Sequence, residues 1–101
     1  MSAQPLSEDA IREALGRLDG WELADDTITR TFQFGSFKEA FGFLARVAFE
    51  AEARNHHPEI WNVYNRVRLS LNTHDAGGKV TEKDIDLAEA IQCVDWTRDR
   101  R

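Results

Sequence analysis

The sequence predicts an α+β fold: a four-stranded antiparallel sheet with three helices packed on one face, in the order αββαββα. Three features predict it. Two pairs of extended runs each carry turn chemistry at their centre, a long segment of helically spaced apolar residues separates the pairs, and shorter helical patterns flank them. Two hairpins joined by one long helix can bury their apolar faces together by pairing into a single sheet beneath the helices.

The first helix is expected from about Glu8 to Leu18. Ser7 is its cap, Glu8 and Asp9 fill its first turn, and Ile11, Ala14, Leu15 and Leu18 recur on one face. Gly20 ends it. Trp21 to Ala24 and Ile28 to Phe34 then read as a hairpin across the turn residues Asp25 and Asp26. After Gly35, Ser36 and Glu39 match a capping box. The second helix places Phe37, Ala40, Phe41, Leu44, Val47, Ala48 and Ala51 in an apolar stripe. Because Pro58 disfavours helical geometry at the residue before it, this helix is expected to end at His56 or His57.

Ile60 to Tyr64 and Val67 to Thr73 form the second hairpin, joined at Asn65 and Arg66. Val67, Leu69 and Leu71 alternate with Arg68, Ser70, Asn72 and His74, the pattern of a half-buried strand. Gly77 and Gly78 make a loop. Thr81 then caps a third helix carrying Ile85, Leu87, Ala88, Ile91 and Val94, with Asp84 stabilising its first turn.

With 101 residues, residues 1–101 are read as one domain, and 42% hydrophobic content is enough to build its core. The formal charge of −5, without any long basic run, argues against direct nucleic-acid binding. The mixed-charge segment Arg98 to Arg101 reads as a solvated end. Cys93 is the single cysteine and cannot pair within the chain, which suits a reducing compartment. Neither a membrane-length apolar stretch nor a secretory leader is visible, so a cytoplasmic location is expected.

The three histidines all lie between positions 56 and 74. Imidazole titrates near neutrality, so a cluster can both give and take protons at physiological pH. On residue chemistry alone, a blander role for His56 and His57 is favoured, in which they answer the last carbonyls of the second helix. Glu52, four residues before His56, is expected to share its helical face, orient the imidazole and favour its protonated form. Glu52, His56 and His74 could also be read as zinc ligands. However, the chain has no recognised zinc spacing, so no metal is expected.

Taken together, the run Glu52-Ala53-Arg54-Asn55-His56-His57-Pro58, followed by Tyr64, His74 and Asp84, resembles the signature of the pterin-4a-carbinolamine dehydratases. The similarity spreads through Gly20-Trp21, Phe37, Phe41 to Phe43, Asn62 to Asn65 and Thr81 to Ile85. The loop from His74 to Asp84 departs from that pattern by one extra residue, Lys79.

The resemblance implies a hydro-lyase that dehydrates 4a-hydroxytetrahydropterin to quinonoid dihydropterin without a cofactor, in tetrahydrobiopterin recycling. It implies His56 and His74 as acids on either side of the pterin, with His57 holding the ring or taking the N5 proton. Asn55, Asn72, Thr73 and Asp75 would line the pocket, Trp21 would supply an apolar wall with an N–H donor, and Glu52 and Asp84 would orient the histidines. It further implies a homodimer or homotetramer, for which Ile85, Ile91 and Val94 of the last helix are candidate contacts. The alternative is a dimerisation or transcriptional coactivator module on the same fold, since some animal members also bind a homeodomain factor. A third reading is a fold member with no pterin partner.

Overall fold

The computed structural model describes residues 4–96. Its elements follow the expected order: α1 (Glu8–Leu15), β1 (Glu22–Ala24), β2 (Thr27–Gln33), α2 (Phe37–Arg54), β3 (Glu59–Val63), β4 (Arg66–Leu71) and α3 (Glu82–Val94), with one 3₁₀ turn at His74–Ala76. All strand pairs are antiparallel, and the sheet order is β1-β2-β4-β3. Segment 98–101, read as a solvated end, lies outside the described residues.

Ser7 caps α1 through the Ala10 amide at 3.1 Å. The helix stops three residues before the expected Leu18, because the chain tightens into i→i−3 bonds from Arg17 to Ala14 and from Leu18 to Leu15. That tightening still delivers Leu18 to the core, where it is buried. Gly20, at φ +86°, must be glycine on two counts: the backbone is left-handed, and a Cβ would sit 2.7 Å from Nε of Arg30. Arg30 lies on the inward face of β2, with its guanidinium 4.3 Å from the Phe32 ring centroid.

Ser36 caps α2 through the Glu39 amide, and Glu39 reaches back to the Gly35 N–H at 2.8 Å. The face that α2 buries differs from the expected stripe. Ala40, Phe43, Val47 and Ala51 point into the core, whereas Phe37 and Phe41 are about half exposed and Ala48 is exposed. A helix with apolar residues around most of its circumference does not announce its buried side. The choice falls to Phe43, whose ring meets Phe32 at 4.7 Å and Phe34 at 5.0 Å.

Val67, Leu69 and Leu71 of β4 and Ile28 and Phe32 of β2 form one apolar sheet face, and α1, α2 and α3 all contribute to the same core. In α3 that contribution includes Ile85 and Ile91, both buried, so these two are core residues rather than contacts for a second chain. The β3–β4 turn is Tyr64-Asn65, one residue earlier than expected. Tyr64 takes φ +51°, and Asn65 is bonded through both its backbone carbonyl and its side chain to Phe34. Edge strand β3 leaves Ile60 and Val63 about half exposed. Beyond Leu71 the chain leaves the sheet, with Thr73 bridging to Lys79 and positive-φ Gly77 and Gly78 turning it back toward α3. Among the described residues no helix is long and apolar enough to cross a membrane.

Candidate active site

Three chain segments meet at one end of the sheet. The first is the end of α2, which closes at Asn55 rather than at His56 or His57. Asn55 adopts φ 48°, ψ 43°, its N–H bonds to the Glu52 carbonyl, and the His56 N–H bonds to the Ala51 carbonyl at 3.0 Å. This is a Schellman motif, and asparagine tolerates the left-handed position it requires. Pro58 acts later than a helix stop, since the chain has already left helical geometry three residues before it.

The Schellman turn redirects both histidines. Glu52 and His56 no longer share a helical face, and the expected pair is replaced by two others. Glu52 Oε1 lies 2.7 Å from His57 Nε2, with both side chains largely exposed. Such an exposed pair contributes at most about 1 kcal/mol and serves to orient the ring. His56, turned inward, meets Asp84 instead, Nε2 to Oδ1 at 2.6 Å.

Asp84 is fully buried. Its Oδ2 accepts from the Thr81 N–H and from the Thr73 hydroxyl, each at 2.8 Å, and the Thr73 and Thr81 hydroxyls are 2.6 Å apart. The expected role of Asp84 in the first turn of α3 is therefore present as a capping box with Thr81. The same carboxylate also crosses to His56. A carboxylate can only accept, so His56 Nε2 carries the hydrogen of their contact and Nδ1 is the ring nitrogen left for a ligand.

Asn55, His56 and His57 from the end of α2, Asn72, Thr73, His74 and Asp75 after β4, and Lys83 from α3 line a cavity of about 270 Å³. His57 and Asn72 also border an adjoining hollow with Thr27 and Ser70 on the polar sheet face. His74, on the 3₁₀ turn, is exposed; its carbonyl accepts from the Gly77 N–H at 3.0 Å, while its imidazole has no hydrogen-bond partner among the described residues. Thr73 borders the cavity with its hydroxyl committed to Asp84.

Trp21 is the expected pocket residue that the fold places elsewhere. It is buried in the core, edge-on to Phe32 at 6.3 Å, and its Nε1 has no partner among the described residues. It precedes β1 directly, and its bond to the Leu18 carbonyl tucks it under the sheet. Lys83 is the cavity residue that sequence reasoning missed. A signal existed, since a cation in the first turn of a helix opposes the helix dipole and so is out of place structurally. Among the described residues no group of three or more His, Cys, Asp or Glu side chains is arranged to hold a metal ion.

A family model described as pterin 4 alpha carbinolamine dehydratase matches residues 4–94. Relatives named for this family include one from Opitutus terrae, 53% identical over 90% of this chain and 94% of its own. Another, from Nitrobacter hamburgensis, is 55% identical over 91% of this chain and 92% of its own. Among solved structures, a transcriptional coactivator/pterin dehydratase from Brucella melitensis superposes with a TM-score of 0.85 at 46% identity, covering 89% of this chain and 97% of that one. A pterin dehydratase-like RuBisCO assembly factor of the alpha-carboxysome shares the fold, with a TM-score of 0.61 at 21% identity over 75% of this chain and 87% of its own. On the match over residues 4–94 and on this level of identity, the chain belongs to the pterin-4a-carbinolamine dehydratase family.

Proposed function

We propose that the protein eliminates water from 4a-hydroxytetrahydropterins. One observation carries this reading. Three histidines from two separate segments border one cavity, and one of them is held by a buried carboxylate. In the reaction the C4a–O bond breaks and the oxygen leaves as water after taking a proton from an acid. N5 gives its proton to a base, and the N5=C4a double bond of the quinonoid dihydropterin forms. An imidazole acid and an imidazole base each accelerate such a step by about 10²–10⁴-fold.

His56 and His74 act as the acids, one toward each face of the pterin, and His57 holds the ring or takes the N5 proton. Asn55, Asn72 and Asp75 supply donors and acceptors to the pterin edge. Histidine chemistry completes the proton balance without a cofactor or metal. Following decay of the 4a-carbinolamine with and without the purified protein tests the reading, and a decay rate unchanged by the protein would refute it.

A second reading, a dimerisation or coactivator module, has one observation in its favour. The Brucella relative is named as both coactivator and dehydratase, and the two functions can share one fold.

A further inference from the structure

We propose that Thr73, backed by Thr81, is a positioning residue for His56 and acts through Asp84, a role that rests on the dehydratase reading above. The terminal torsion of an aspartate is broad and roughly two-fold, so a carboxylate held at one point can swing or exchange its oxygens. Asp84 is held at two. Oδ2 accepts from the Thr81 N–H and the Thr73 hydroxyl, and this clamp fixes Oδ1 at 2.6 Å from His56 Nε2.

Burial makes the arrangement directional. Thr73, Thr81 and Asp84 are each at most 2% exposed, so solvent does not supply competing partners. A hydroxyl has one hydrogen. That of Thr73 goes to Asp84, so in the 2.6 Å contact between the two hydroxyls Thr81 donates. Thr81 Oγ1 in turn accepts from the Lys83 N–H. Hydrogens therefore run from Thr81 to Thr73 to Asp84, while His56 donates to the other carboxylate oxygen. The neutral imidazole is held as one tautomer in one orientation, and Nδ1, facing the pterin, is the nitrogen that takes up the proton of the imidazolium acid.

Thr73 also anchors the neighbouring histidine. Its N–H bonds to the Lys79 carbonyl at 2.9 Å and its carbonyl accepts from Ala76 and Gly78, which closes the loop that begins at His74. One residue thus sets His56 through its side chain and the His74 turn through its backbone.

The test compares Thr73→Val, Thr73→Ser and Thr81→Val with the wild type. It combines steady-state dehydration kinetics with ¹⁵N NMR of the histidine rings in the ligand-free protein. Thr73→Val is expected to move the His56 nitrogens from fixed-tautomer toward averaged shifts. It is also expected to lower kcat about tenfold with KM changed by less than about twofold. Thr73→Ser restores both, and Thr81→Val changes both in the same direction but less.

A wild-type His56 tautomer in Thr73→Val overturns the proposal, even if the rate falls, because the loss is then merely structural. A loss that serine does not restore belongs to the methyl group and overturns it as well. Should Thr73→Val not fold, wild-type shifts and rate in Thr81→Val are the overturning result. If the wild type dehydrates no 4a-hydroxypterin, the dehydratase reading falls by itself, and the tautomer measurement still decides the positioning.

Discussion

His56 and His74 reach the cavity under different constraints, and this decides how each should respond to substitution. His56 is nearly buried against Asp84, whereas His74 stands exposed on a short turn. Glutamine keeps polar volume but does not donate a proton near neutral pH, so His56→Gln and His74→Gln should each lower turnover by about 10²-fold or more. Stability should differ between them. His74→Gln loses no hydrogen bond given by the described residues and should melt like the wild type. His56→Gln removes a partner from a buried carboxylate and should cost about 1–3 kcal/mol unless the amide reaches Asp84. If the two are acids for opposite faces, each variant should fail mainly toward one 4a epimer; a single acid–base unit would give strongly non-additive losses on the same epimer. Epimer-resolved rates and melting temperatures on the same variants separate these outcomes, and near-wild-type rates in both would remove the catalytic assignment.

At the scale of elements, the Schellman close of α2 turns an ordinary helix end into one wall of the cavity. Asn55 is the residue on which it depends. Asn55→Ala should lose about 1 kcal/mol or more, because alanine is strained at φ 48°, whereas Asn55→Gly should be nearly neutral in stability. Chemical denaturation of the two variants checks this, and equal stabilities would show that the left-handed turn is not the constraint. The capping box of α3 has an equivalent double use. Its acidic member satisfies the helix terminus and also holds His56, so the start of α3 and the end of α2 are fixed relative to each other across 28 residues of chain.

For the whole molecule, the apolar groups left outside the core are concentrated on α2 and β3. Phe37 and Phe41 lie 5.6 Å apart, Phe49 is 75% exposed, and Ile60 and Val63 line an unpaired sheet edge. Exposed apolar area together with an open sheet edge favours self-association, so light scattering at micromolar concentration should return a dimer or tetramer. A monomer mass would count against it. Turnover should also be insensitive to exhaustive chelation, because the proposed proton transfers use side chains alone. A loss restored by added zinc or iron would reverse that expectation.

Local chemistry carried much of this protein in plain view. The alternation of Val67, Leu69 and Leu71, the caps at Ser7, Ser36 and Thr81, and the turn residues after each strand determined the element order, because period and capping are properties of neighbouring residues. The cluster from Asn55 to Asp84 stood out as a candidate site through its family resemblance, since residue chemistry alone favoured capping roles for His56 and His57. Partnership was another matter. Which side of the apolar α2 is buried, whether Trp21 faces a ligand or the core, and which carboxylate holds which histidine were decided only when the chain closed. Glu52 lies four residues from His56 and Asp84 lies 28 away, yet one left-handed residue at Asn55 gives His56 to Asp84 and leaves Glu52 to His57. Sequence spacing describes contacts along a regular helix, and it stops describing them at the residue where the backbone leaves the helix.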